Sequence, residues 1–189
     1  MVRTMAETAT KLTYDDFLLF PDDGMRHELI DGEHYVSPSP NLRHQRLLAR
    51  LNLLVANFAV ERRLGEVFFA PFDVVFTRHD VVEPDLLFVS NERKAILTAP
   101  NVQGAPDLVV EVLSPSNRRQ DEVVKRSLYD RGGVSEYWIV DPDVETIKVF
   151  RRGEGTFGRA LLLSAHDGDK LVSPLFPGLE IPLAALFAE

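Results

Sequence analysis

The run PDLVVEVLSPS, residues 106–116, sets the strongest limit on what this chain can fold into. From Leu108 to Leu113 every residue except Glu111 is Leu or Val, so the run does not alternate as a half-exposed strand would. It reads as a strand covered on both faces, which requires a sheet with further material packed on each side. An ionised carboxylate inside such a strand is costly unless it is paired or holds a metal ion. Glu111 is therefore the first residue that the fold has to explain, by a salt bridge to a nearby Arg or by a metal.

The remaining elements supply the cover. Thr13, followed by Tyr14, Phe17 and Leu18, predicts a short N-capped helix that ends by Pro21 and Gly24. HELIDGEHYV predicts a hairpin turning at Asp31-Gly32. The loop Ser37-Pro38-Ser39-Pro40 leads into a long helix, where Leu47, Leu48, Leu51, Leu54, Val55 and Phe58 form one apolar stripe. Strands are expected at Val67–Phe69, Phe72–Phe76 and Leu86–Val89. After the Glu111 strand, Ser116 or Asn117 caps a helix with Val124 and Leu128 inward and Gly132 as its stop. EYWIVDP and TIKVFRR form a second hairpin, and the tail adds short strands and a helix around Leu183–Phe187. The expected architecture is a single α/β or α+β domain over residues 13–189, a mixed sheet flanked by helices, behind a flexible N-terminus at 1–12.

A chain of 189 residues that is 45% apolar can build one substantial core. With no cysteine, disulfides, thiolate metal sites and a cysteine nucleophile are excluded, which fits a reducing cytoplasm. No apolar run approaches the roughly 20 residues that span a bilayer, and the start has no signal-like apolar stretch. The expectation is a cytoplasmic protein without membrane contact. The net charge of −8 sits awkwardly with a polyanionic partner, but it is unevenly placed. Residues 7–33 carry eight acids against Lys11 and Arg26, whereas residues 41–63 carry five arginines against Glu61.

Asp85 is the second notable acid, opening the strand-like DLLFV after Pro84. Alone it reads as a turn residue. Two strands of one sheet can bring Asp85 and Glu111 together, however, and paired carboxylates offer the oxygen ligands that Mg²⁺ prefers. Lys125, on the next helix beside Val124 and Leu128, can lie at the edge of the buried stripe and help to orient a water or to stabilise charge on a phosphate. Glu28 reads by itself as a surface carboxylate on a hairpin. His44 reads as a capping or surface residue of the long helix, although it can reach toward the acids. The five histidines show no HxxxH or HExxH spacing, and there is no phosphate-binding glycine loop or G-x-S-x-G. Tyr137 and Trp138 read as core. Arg43, Arg46 and Arg50 share a helix face that reads as solvated, while Arg118 and Arg119 are better placed for phosphate.

Four segments, HELIDGE at 27–33, VVEPDLLFV at 81–89, APDLVVEVLSPS at 105–116 and Lys125 through YDRGGVSEYWIVDP, occur in the order found in one family. The chain resembles the Uma-two family of proposed restriction endonucleases, a branch of the PD-(D/E)XK nucleases, from about residue 13 to the end. The resemblance implies a restriction-endonuclease-like core, Mg²⁺ or alternatively Mn²⁺ as cofactor, DNA as substrate and a homodimer. It places the motif's acids on Asp85 and Glu111, with both as metal ligands. The motif's Lys, whose usual position is Leu113 here, falls on Lys125, and an additional acid falls on Glu28. Arg118, Arg119 and Arg43 are then candidates for contact with nucleic acid. The competing readings are a catalytically silent nuclease-fold dimer that binds nucleic acid or regulates, and a metal-dependent hydrolase with another substrate.

Overall fold

The computed structural model describes residues 10–188. Most of the segment expected to be a flexible terminus lies outside these residues. Its last part is tied down: Leu12 donates to the Gly32 carbonyl, and its own carbonyl meets the His79 ring. Thr13 caps α1 (Tyr14–Phe17) in a reciprocal capping box with Asp16. The helix closes at Phe17, earlier than Pro21 and Gly24 predict.

Two sheets build the body. The larger has six strands in the order β11 (Leu161–Ser164), β10 (Thr146–Arg151), β9 (Glu136–Asp141), β8 (Leu108–Val112), β6 (Leu86–Ser90) and β3 (Gly65–Phe69). Only β8 and β9 run parallel in it. The smaller has five strands, in the order β2 (Glu33–Ser37), β1 (Arg26–Ile30), β5 (Asp80–Val82), β4 (Val74–Thr77) and β7 (Val102–Gln103). β1 and β2 form the expected hairpin. Asp31 and Gly32 both have positive φ, 54° and 75°, as a type I′ turn demands. A side chain at Gly32 would also meet the Lys11 Cβ at 2.5 Å.

Every residue of β8 is buried, as the opening run requires. Leu108, Val110 and Val112 pack with Leu86, Phe88, Trp138 and Val140 against the long helix α2 (Leu42–Arg62), backed by the terminal helix α4 (Leu183–Phe187). The opposite face, with Leu87, Val109 and Ile139, packs against the small sheet and against α3 (Arg126–Gly132). Glu111 lies on this second face, between the two sheets. Tyr137 and Trp138 are core residues, as expected.

Three details depart from expectation. Leu54 is 40% exposed, because the inward stripe of α2 runs through Leu47, Leu48, Leu51, Val55 and Ala59. The helix after Glu111 passes through Gly132, and Gly133 takes the left-handed capping position at φ 93°. Before α3, residues Gln120–Lys125 form a π-helical turn, a feature that often marks functional sites. No helix among the described residues is long and apolar enough to cross a membrane.

Candidate active site

The site forms where the two sheets and the π turn meet. Glu28 points inward from β1 on the same face as Ile30. Glu111 comes from β8, and Lys125 closes the π turn. Lys125 Nζ lies 2.8 Å from Glu28 Oε1, 3.0 Å from Glu111 Oε1 and 3.6 Å from Asp121 Oδ1. It does not sit at the edge of a stripe but is 2% exposed, and the three acids around it are equally buried. The Tyr129 hydroxyl, one turn further on, donates to the same Glu111 oxygen at 2.6 Å. Glu28 also accepts from the Glu83 backbone N–H and from the Gln120 side chain, so it is an interior residue and not a surface carboxylate.

Asp85 precedes β6. The register Leu86↔Val110, carried one residue further, sets it opposite Glu111. It is 1% exposed and accepts three hydrogen bonds: Arg26 Nη1 on Oδ1 at 2.9 Å, and on Oδ2 the Val112 N–H at 2.8 Å and His44 Nε2 at 2.9 Å. His44 is thus neither a capping nor a surface residue but faces Asp85 from the first turn of α2. Arg26 also pairs with Glu83 through Nε at 2.8 Å.

The electrostatics follow from this arrangement. Glu28, Asp85, Glu111 and Asp121 face only two cations in the interior, Arg26 and Lys125, so full ionisation of the acids would leave an excess of two negative charges. Burial pushes the Glu111 carboxyl up to about 7, which Lys125 opposes and the Asp85 and Glu28 charges reinforce. Burial likewise raises Asp121 well above the carboxylate range. Asp85 goes the other way, to about 2, because its bond from His44, the Arg26 charge and the Val112 N–H outweigh burial. The surrounding carboxylates hold Lys125 protonated in spite of its burial.

This donor set fits a small hard cation. Glu111 Oε2 is buried without a hydrogen-bond partner, and among the described residues Asp85 Oδ1 accepts only from Arg26. Among the described residues no three acids or histidines converge on one ion position. Asp85 and Glu111 are the residues that could hold a divalent cation, with water completing its coordination.

Asp85, Arg26 and His44 form the floor of a cavity of about 200 Å³. Its walls come from the loops Ser37–Asn41 and Ser114–Asn117. Arg118 lies beyond the second loop and is held by Asp141 at 2.5 Å, with Asp143 at 3.7 Å. Arg43 sits 3.8 Å from Asp143 and 3.7 Å from Glu145, while Arg50 donates to the Leu186 and Ala188 carbonyls. Arg119 is exposed. Arg26, Asp121, Tyr129 and Gln120 escaped the sequence reading. The spacing of four from Asp121 through Lys125 to Tyr129, and of two from Arg26 to Glu28, was the signal for them.

A family model described as "Uma2: Putative restriction endonuclease" matches residues 14–184. A search of curated proteins finds no match. Among solved structures, the chain is similar to a "putative nuclease belonging to DUF820" from Anabaena variabilis, with 20% sequence identity and a TM-score of 0.80. The likeness covers 94% of this chain and 98% of that one, so the two share a fold over essentially their whole length.

Proposed function

The chain belongs to the Uma2 family, and on that premise we propose that it is a Mg²⁺-dependent endonuclease hydrolysing phosphodiester bonds in DNA. The observation that carries this reading is the convergence of Glu28, Asp85, Glu111 and Lys125, from two sheets and a helix, in one buried cluster in which Glu111 Oε2 has no hydrogen-bond partner. A structural core gains little from such a cluster, since apolar residues of similar volume would replace a buried ion network at no loss of stability.

In this reading Asp85 and Glu111 hold the cation, with Mn²⁺ as the alternative ion. The bound ion would supply Lewis acidity toward the phosphodiester and toward a water. Lys125 carries a fixed positive charge beside Glu111, where it stabilises charge developing on the phosphate or orients the attacking water. Glu28 and Tyr129 hold Lys125 and Glu111 in register. The phosphodiester enters over the cavity that Asp85 lines. Arg118, Arg119 and Arg43 follow the strand beyond it. A homodimer belongs to the same reading, and the outward residues Leu42, Leu53 and Val60 of α2, each more than half exposed, support it.

The test is cleavage of supercoiled plasmid and of single-stranded DNA with Mg²⁺, Mn²⁺ or EDTA, beside Asp85→Asn and Glu111→Gln. Cutting that needs the metal and disappears in both variants is expected. A folded, metal-binding protein that cuts neither substrate would sink the nuclease reading and favour a silent nuclease-fold module.

A further inference from the structure

His44 stands on the inward stripe of α2, in line with Leu48, Leu51 and Val55, where an apolar residue would pack without penalty. It is 3% exposed, and its Nδ1 is buried without a partner. Leaving a polar atom in that state is unfavourable. The bond that offsets this is the one from Nε2 to Asp85 Oδ2 at 2.9 Å. An ionised carboxylate can only accept, so Nε2 is the donor. Asp85 already accepts from Arg26 on Oδ1 and from the Val112 N–H on Oδ2. What a third donor adds is orientation. Arg26 reaches from β1, Val112 from β8 and His44 from α2, and donors from three elements fix the rotation of one carboxylate.

We infer that His44 is a positioning residue for Asp85, holding its carboxylate in the orientation that receives the cation. The inference rests on the metal reading of the site. Partners that orient a metal ligand typically change metal affinity by roughly 10–100-fold when removed. A residue that merely filled the core would leave affinity alone and lower only the melting temperature.

The experiment is Mn²⁺ binding to the full chain, by calorimetry or by loss of the free-ion resonance signal, with melting curves alongside. His44→Ala is expected to bind Mn²⁺ roughly 10–100-fold more weakly. His44→Gln, whose amide N–H reaches the same oxygen, is expected to restore affinity toward the wild-type value. In an Asp85→Ala background, His44→Ala should bring no further loss, because the ligand it orients is gone. Unchanged Mn²⁺ affinity in folded His44→Ala overturns the inference, as does an equal loss in the Asp85→Ala background. Should the alanine variant fail to fold, His44→Leu, which fills the stripe but offers no donor, decides: weakened Mn²⁺ binding supports the role, and unchanged affinity overturns it. A wild-type chain that binds no Mn²⁺ defeats the metal reading and this inference together, whereas binding with an indifferent His44 defeats the inference alone.

Discussion

Glu111 is in tension with its surroundings whenever no cation is bound. Its carboxyl is lifted from about 4.5 to about 7, chiefly by burial, so ionising it is harder in the folded chain than in the unfolded one. A raised folded value means that the stability it contributes is complete below about 4.5 and is lost as pH rises through about 7. Asp121 acts in the same direction. In EDTA, the urea midpoint of the wild-type chain should therefore fall between about pH 5 and about pH 8. Glu111→Gln, which keeps an oxygen for Lys125 and Tyr129 but cannot ionise, should flatten that fall by roughly a few kcal/mol. Identical pH slopes in the two proteins would show that Glu111 does not titrate there. At this scale the sequence was partly legible. Glu111 betrayed itself as the sole charge in an apolar strand, and Asp85 through its partner strand and the motif they share. Lys125 and Glu28 were reached mainly through the resemblance, and the burial of these two and of His44 was not legible, because each lies on an element whose pattern also fits an exposed side chain. Only the packing of the second sheet and of α2 against the first buries them.

At the scale of elements, α2 reaches the site through its N-terminal turn. Its first turn carries His44, and Asn41 caps it by accepting from the His44 backbone N–H at 2.9 Å. Loss of such a cap costs about 1 kcal/mol. Asn41→Ala should lower the unfolding free energy by about that amount, measured by urea denaturation at neutral pH. A larger loss than about 2 kcal/mol would mean that Asn41 does more than cap. The helices, both hairpins and the Glu111 strand were readable because capping residues, turn pairs and apolar periodicity are local signals. The π turn at Gln120–Lys125 was not, since its residues suit an α-helix equally well. Its cause is tertiary: the Tyr137 hydroxyl donates to the Asp121 carbonyl at 3.1 Å, and Asp121 and Lys125 turn inward together. Leu54 was misread for a similar reason, since an apolar residue beside a stripe does not reveal how wide the covering surface is.

For the whole molecule, the net charge of −8 looks less opposed to a polyanionic partner once its placement is known. Glu28, Asp85, Glu111 and Asp121 are buried between the sheets and contribute little to the charge of the surface that a strand passes over. The arginines near the cavity differ in how free they are. Arg118 is engaged by Asp141, and Arg43 lies near Asp143 and Glu145, so a phosphate must compete with carboxylates for both. Arg119 is exposed, and among the described residues no acid pairs with it. A phosphate contact releases counterions and contributes about 0.9 to the slope of log affinity against log salt on a duplex, or about 0.7 on a single strand. Arg119→Ala should therefore lower that slope by nearly one unit in fluorescence-anisotropy titrations of labelled DNA over a salt series. Arg118→Ala should lower it by less, because its removal also frees Asp141 from a bond that binding would have to break. A slope untouched by Arg119→Ala would place the strand on another face, and the arginines of α2 would then be the next to replace.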